Sequence, residues 1–132
     1  MEEWVTGYRV QGGGATGSFD RLSVTQNGNL NLKTPNSSLN VSFGSRAHAD
    51  YFLQKRPGGH IVEFQIPKSL YDEIKSNAIP QENYKSNPLN QNGTAPKIVD
   101  KNTPGESYEL PPKWGKEVAK QAKPGSAKYL KR

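Results

Sequence analysis

Apolar and polar residues alternate over several short stretches in the first half of the chain. The stretch from Val5 to Gln11 alternates and is rich in strand-forming residues, and glycines at positions 12–14 end it. Leucines and valines at mostly even spacing follow on both sides of Asn27-Gly28, a pair typical of a tight hairpin turn. The pattern therefore predicts a strand, a hairpin and then a separate strand from Leu39 to Phe43.

The middle of the chain changes to the spacing of apolar residues that is typical of a helix. Residues 45–56 predict a helix that Ser45 caps and that Pro57-Gly58-Gly59 ends. Its predicted apolar face consists of Ala47, Ala49, Phe52 and Leu53. A strand from His60 to Pro67 follows, and then a short helix over residues 69–76, with its cap near Lys68 or Ser69.

The segment from Asn77 to Glu109 carries few large apolar residues among many Asn, Gln, Pro and Gly. Loops of this length are uncommon in compact domains unless they have a function, and a disordered connection is the alternative. Ile98-Val99 and residues 107–110 are its two short strand candidates. The segment is therefore expected to be mostly irregular.

Charge is concentrated at the end of the chain. Pro111-Pro112 begins a predicted helix over Lys113 to Lys123. Residues 111–132 contain seven Lys or Arg and one Glu, whereas the rest of the chain carries 11 basic and 11 acidic groups. This basic helix or tail is either a solvated face or a contact for phosphate backbones or an acidic protein surface.

The order of predicted elements is strand, hairpin, strand, helix, strand, helix, irregular segment, strand and helix. This order is typical of a single α+β domain with a mostly antiparallel sheet, here spanning residues 1–132. Apolar residues make up 32% of the sequence, and 13 Gly and 10 Pro are present, so a small core and much irregular backbone are expected.

Composition excludes several kinds of chemistry. The absence of Cys excludes disulfides, thiolate zinc sites and Cys nucleophiles, and the two His have no companions at ligand spacing, so no metal is expected. No apolar run approaches the roughly 20 residues of a membrane span, and residues 1–4 lack the features of a signal peptide. The sequence therefore predicts a soluble chain without a membrane partner.

The remaining chemistry uses carboxylates, arginines, hydroxyls and an imported cofactor. Cleavage of a glycosidic bond suits these groups, because a carboxylate stabilises the cationic transition state while an Arg binds an anionic part of the substrate. A ribonuclease with His60 or His48 as the base is the rival hypothesis. A binding domain without enzymatic activity is the third.

Several longer motifs are similar to those of one family. They are Tyr8-Arg9-Val10 with glycines 12–14, residues 41–45 leading into 48–53, and residues 62–67, 78–81, 87–100 and 104–111. These motifs resemble the C-terminal toxin domains of bacterial Rhs-type polymorphic toxins, in particular ADP-ribosyltransferase effectors delivered between bacteria. The resemblance covers Tyr8 to about Trp114 and implies an ADP-ribosyltransferase-like fold with a split, mostly antiparallel sheet and short helices.

ADP-ribosyltransferases of the Arg-Ser-Glu type carry an Arg on the first strand, a Ser-Thr-Ser-like strand before a helix, and a Glu-x-Glu-like element near the end. The resemblance implies that Arg9 holds the phosphate or ribose of NAD, Ser42 orders the nicotinamide ribose, and Glu109 is the catalytic carboxylate. The implied NAD-binding set also includes Val10, Gly12, Phe43 and Tyr51, with the two aromatic rings flanking the nicotinamide.

The sequence departs from the family pattern in two places. Residues 40–42 keep one Ser of three, and Glu106 and Glu109 are spaced one residue too far apart for Glu-x-Glu. Ser107 replaces the residue that usually helps to choose the acceptor, so the acceptor side chain stays open. Gln81 or Glu82 is the reserve for the catalytic acidic position.

The resemblance also implies a biological setting. The chain is expected to be part of a larger toxin, secreted from a producer cell and active in the cytoplasm of a target bacterium. NAD would be the substrate, elongation factor Tu the favoured acceptor and RNA an alternative acceptor, and a cognate immunity protein would cover the cleft. The rival is an RNase toxin that cleaves tRNA or rRNA.

Overall fold

Nine strands and three helices form the part of the chain that the structure describes. In the computed structural model the described residues are 3–12, 21–44, 46–99 and 106–130. The strands are β1 (Trp4–Gly12), β2 (Leu22–Val24), β3 (Leu30–Leu32), β4 (Leu39–Phe43), β5 (Gly59–Pro67), β6 (Ile79–Pro80), β7 (Lys97–Ile98), β8 (Glu106–Leu110) and β9 (Lys128–Leu130). The helices are α1 (Ala47–Gln54), α2 (Lys68–Asn77) and α3 (Pro112–Gln121).

Seven of the strands form one sheet in the order β6-β7-β8-β4-β1-β5-β9, and β2 and β3 pair as a separate hairpin. Every neighbouring pair in the large sheet is antiparallel except β6 and β7. The expected α+β architecture, with a mostly antiparallel sheet and short helices, is therefore confirmed.

The central strand β1 is paired very differently on its two sides. It pairs with β5 along its whole length, from Trp4 opposite Pro67 to Gly12 opposite Gly59. It pairs with β4 only where Gly7 lies opposite Phe43 and Tyr8 lies opposite Ser42. Beyond Tyr8 the two strands no longer share ladder pairs, and this is where the sheet can admit a ligand.

Strand alternation divides the core into two parts, one on each face of the sheet. The larger part packs against α2, α3 and the β2–β3 hairpin, and its buried strand residues include Val41, Phe43, Val62, Phe64, Tyr108 and Leu110. On the opposite face, Ala49 and Leu53 of α1 pack against Tyr8 and Ile61. We call this second side the α1 face.

Most elements predicted from the pattern are present. The hairpin around Asn27-Gly28 and the strands and helices of the middle segment are confirmed. The cap expected for α2 near Lys68 or Ser69 is wrong, because the helix begins after Pro67 without a side-chain cap. Ser45 and the glycines at positions 13 and 14 lie outside the described residues.

The irregular segment between β6 and β7 is built from successive turns. Asn90 organises it: its side-chain amide donates to the carbonyls of Tyr84 and Lys85, and its own carbonyl accepts from Ala95 N–H. Tyr84 is buried in a small cluster with Ile79 and Ala95, and its hydroxyl donates to the Ala95 carbonyl. Residues 81–95 are therefore a packed loop that leads into β7.

Close packing over Gly7 holds the centre of the sheet. A Cβ at Gly7 would lie 2.7 Å from ring atoms of Phe64 and 2.9 Å from the ring of Phe43. Both rings are buried in the larger core and have little room to move. The position therefore requires glycine for space.

We expect Gly7→Ala to lower the free energy of unfolding by about 1–3 kcal/mol, the usual cost of overpacking a core. Gly115→Ala is the matched control, because its Cβ would meet Leu39 at 3.6 Å, an ordinary contact, within α3. That change should leave stability unchanged or raise it by up to about 1 kcal/mol through helix propensity. Urea denaturation measures both variants, and equal losses would contradict the packing account.

Tyrosines packed in the larger core make the free energy of unfolding depend on pH in the alkaline range. Burial, with a smaller contribution from Glu106, raises the pKa of Tyr108 to about 12 from 10.0. The unfolded chain therefore loses this proton first, so the free energy of unfolding holds below about pH 10 and falls between about pH 10 and pH 12. Burial also raises the pKa of Tyr71, and the hydrogen bond it donates to Glu106 adds to this.

Tyr108→Phe removes one source of this pH dependence. Its free energy of unfolding, measured by urea denaturation at intervals from about pH 9 to pH 11, should fall less steeply than that of the wild type. Equal slopes in the two proteins would show that Tyr108 ionises alike in the folded and unfolded chains.

Candidate functional site

An open cleft with a cavity volume of about 70 Å³ lies on the α1 face, where β1 and β4 separate. Its walls come from β1, β4, β8, α1 and the turn that follows α1. The lining residues are Tyr8, Arg9, Val10, Asn40, Val41, Ser42, His48, Ala49, Phe52, Arg56 and Ser107.

Three hydroxyl residues form a row across the floor of the cleft. Ser42 of β4 lies opposite Tyr8 of β1 on one side and opposite Ser107 of β8 on the other. Residues directly opposite each other in a sheet share a face, so all three belong to the α1 face. Burial, with a smaller effect from the Glu63 carboxylate, raises the pKa of Tyr8, which favours the neutral phenol. The floor therefore presents hydroxyl groups to a ligand.

Arg9 is buried at the opening between β1 and β4. Its Nη1 donates to the Asn40 carbonyl at 3.1 Å, and its Nε donates to Oε1 of Gln11 at 3.2 Å. Alternation directs the Cβ of Arg9 away from the α1 face, but the residue still lines the cleft. Its guanidinium thus connects the two strands where their ladder has ended.

Glu109 lies on the same face as the hydroxyl row, at the side of the cleft. It is two residues from Ser107 on β8 and is paired in register with Asn40. Its carboxylate forms an ion pair with Lys97 of β7 at 3.0 Å, and Glu109 is not among the lining residues. The structure therefore does not bring Arg9 and Glu109 together in the cleft: the Cβ of Arg9 points to the opposite face, and the Glu109 carboxylate is turned to the β7 side.

The structure brings Val10 and Ser42 of the implied NAD-binding set into the cleft with Arg9, but not the other three. The position of Phe43 contradicts its implied role, because it is buried in the larger core beside Tyr71, with ring centroids 5.5 Å apart. Gly12 ends β1 outside the lining, and the Tyr51 hydroxyl accepts from Lys55 on the outer side of α1.

The reserve positions also lie outside the lining. Gln81 and Glu82 are exposed just beyond β6, which β7 separates from β8. His60, the first-named base of the ribonuclease hypothesis, contacts Gln11 at 3.3 Å and the ring of Tyr129 at 5.3 Å between centroids. It is likewise absent from the cleft.

Of the residues that α1 and its following turn contribute, the sequence analysis assigns no role in a site to Phe52 or Arg56 and names His48 only as an alternative base of a ribonuclease. His48, Phe52 and Arg56 are spaced four residues apart, the spacing of one helix face, and all three line the cleft. The rings of His48 and Phe52 have centroids 4.8 Å apart. This four-residue spacing is present in the sequence, but Phe52 also fits the predicted apolar face with Ala49 and Leu53.

The cleft is suited to an anion. Its lining contains two arginines and a histidine and no Asp or Glu. Guanidinium groups bind phosphates through paired N–H donors, and a partly enclosed site strengthens this attraction. Hydroxyls, two guanidiniums and an aromatic ring together fit a ligand with both phosphate and ring components.

No group of three His, Cys, Asp or Glu suited to hold a metal ion occurs among the residues that the structure describes. Within the same ranges, no helix is long and apolar enough to cross a membrane. Comparison with known proteins gave no match to a family model, a curated protein or a solved structure.

Proposed function

We propose that the protein is an antibacterial toxin that transfers ADP-ribose from NAD to a component of the translation machinery, with elongation factor Tu as the favoured acceptor and RNA as the alternative. One observation supports this most: the strands that carry Arg9, Ser42 and Glu109 are neighbours in the order β1-β4-β8. These residues are far apart in the sequence, and the sheet brings their strands side by side.

The charged and polar groups of the cleft agree with NAD as the substrate. A dinucleotide carries a diphosphate, for which Arg9 supplies a guanidinium, and ribose hydroxyls, for which Ser42 supplies a donor and acceptor. To take part in the reaction, the Glu109 carboxylate must leave its ion pair with Lys97 and contact the nicotinamide ribose. Both side chains of this ion pair are 27% exposed, so the pair is half-buried, and contact with the ribose would have to replace the attraction of Lys97.

The reaction breaks the bond between the ribose anomeric carbon and the nicotinamide nitrogen. The electron pair of that bond leaves with nicotinamide, which becomes neutral, and positive charge develops on the ribose. The Glu109 carboxylate would stabilise this charge, with an effect of about 3–4 kcal/mol for one fixed group. A nucleophile of the acceptor then bonds to the anomeric carbon and releases its proton.

The biological setting forms part of the same proposal. The domain would leave its producer cell within a larger toxin and act in the cytoplasm of the target bacterium. A cognate immunity protein that covers the cleft would protect the producer. These statements are supported by the resemblance of the sequence motifs alone.

Glu109→Gln should lower the rate of nicotinamide release from NAD by about a hundredfold or more, because the neutral amide cannot stabilise the cationic ribose. Glu117→Gln is the control, because it makes the same change on α3, which packs on the face of the sheet opposite the cleft. Its rate should stay within about twofold of the wild type, because that carboxylate is remote from the reaction.

Circular dichroism and thermal unfolding check that both variants are folded. Removal of the pair with Lys97 should cost no more than about 1 kcal/mol. Unchanged nicotinamide release by folded Glu109→Gln protein would reject the assignment of the carboxylate. If the wild type released no nicotinamide in the presence of bacterial lysate, the transferase proposal itself would fail.

Ribonuclease activity is the second candidate, and the position of His48 favours it. The cleft places this histidine with Arg9 and Arg56, a base and two phosphate-binding groups. His48 would take the proton of a ribose 2′-hydroxyl while that oxygen attacks phosphorus and the bond to the 5′-oxygen breaks. The leaving oxygen would then receive a proton from His48 or from water.

The basic residues of α3 do not help this second reaction. Lys113, Lys116 and Lys120 lie on α3, which packs on the face opposite α1. RNA held there would therefore lie across the sheet from the cleft.

The two histidines separate the candidates. If the protein is a ribonuclease, His48→Ala should lower cleavage of tRNA, without NAD, by at least about a hundredfold, and His60→Ala should not. Labelled RNA and labelled NAD, each incubated with wild type and with both variants, measure this. We expect protein or RNA to become labelled only when labelled NAD is present, and we expect RNA to stay intact when NAD is absent. The opposite pattern would replace the transferase proposal with the nuclease.

A further inference from the structure

Arg56 is held in place beside the cleft by β1 and α1. Its Nη1 donates to the Val10 carbonyl at 3.3 Å, and its Cζ lies 5.9 Å from the centre of the Phe52 ring. The Arg56 backbone N–H donates to the Leu53 carbonyl, which continues the turn of α1. The guanidinium is therefore fixed next to the end of β1 that carries Arg9.

The charge of Arg56 is not balanced by a carboxylate among the described residues. Its contacts there are a carbonyl oxygen and an aromatic ring, both neutral. Other basic side chains of the fold differ in this respect: Arg46, Lys68, Lys75, Lys97 and Lys128 each form an ion pair. Arg56 is also only partly exposed, so water screens its charge incompletely.

A half-buried guanidinium with neutral partners favours an anionic ligand. Arg carries five N–H donors in a planar fork, and the Val10 carbonyl accepts from only one of its nitrogen atoms. The fork matches two oxygens of a phosphate, and its fixed position reduces the entropy lost on binding. The cleft also holds Phe52 and His48 against which a ring can pack.

We propose that Arg56 is a phosphate-binding residue of the cleft and that, with Arg9, it receives the diphosphate of a nucleotide ligand. This inference deepens the proposed function, since NAD contains such a diphosphate, and it assigns binding to a residue outside the motifs of the resemblance. Arg56 is a positioning group here and takes no part in bond breaking.

The test measures binding of three probes by calorimetry: ADP-ribose, inorganic pyrophosphate and adenosine, which lacks a phosphate. Arg56→Gln should weaken ADP-ribose and pyrophosphate at least about tenfold, as expected for loss of a charged hydrogen-bonding pair, without changing adenosine. Lys55→Gln removes the same charge one residue away, where Lys55 contacts Tyr51 outside the cleft. Its affinities should stay within about twofold of the wild type, because exposed charges act weakly.

Arg56→Lys keeps the charge but loses the fork, so its affinity for ADP-ribose should lie between those of the wild type and Arg56→Gln. Arg56→Lys also serves as the test if Arg56→Gln does not fold. An affinity for ADP-ribose at least about threefold lower in Arg56→Lys, with no such decrease in Lys55→Gln, would still show that the guanidinium of Arg56 binds the phosphate. Equal effects of Arg56→Gln and Lys55→Gln, or no binding of ADP-ribose and pyrophosphate by the wild type, would overturn the inference.

Nicotinamide release from NAD, measured on the same samples, separates this inference from the proposed function. Binding of pyrophosphate that depends on Arg56, without nicotinamide release by the wild type, would leave the phosphate site standing and reject the transferase. Nicotinamide release by the wild type, together with unchanged affinities in Arg56→Gln, would support the transferase and reject the phosphate site.

Discussion

The short pairing between β1 and β4 is the constraint on which the candidate site depends. The ladder between these strands ends after Tyr8 and Ser42, although β1 continues to pair with β5 as far as Gly12. The backbone of β4 beyond this point needs another donor, and the Arg9 guanidinium supplies one to the Asn40 carbonyl. Loss of the ladder and burial of a cation at the same place together create an opening with positive charge.

One face of the sheet carries most of the hydrophobic core, and the other carries the cleft. On one face, α2, α3 and the hairpin bury the large side chains, and the rings of Phe43 and Phe64 close over Gly7. On the other, the short helix α1 covers only part of the sheet, and polar residues of β1, β4 and β8 line the space beside it. A rigid core can therefore hold the floor of the cleft while its outer wall stays open to a ligand.

Local patterns predicted most of the fold, and long-range contacts account for what they missed. Alternation and turn residues were enough for the hairpin and for β5, but β9 forms because Lys128–Leu130 pair with Ile61–Glu63, far away in the sequence. In the site, Ser42 and Phe43 are neighbours on one strand, and alternation directs the Phe43 ring into the larger core on the other face. The position of Arg56 depended on which side of α1 packs on the sheet, and spacing alone does not determine that side.

The proposed function requires a dinucleotide to bind between α1 and the strands β1, β4 and β8. A crystal structure with an NAD analogue whose glycosidic bond cannot break tests it most directly. We expect the diphosphate at Arg9 and Arg56, and the nicotinamide ribose beside Ser42 with the Glu109 carboxylate turned towards it from Lys97. An analogue bound elsewhere, or bound in the cleft with Glu109 still paired to Lys97 and out of reach of the ribose, would contradict the account.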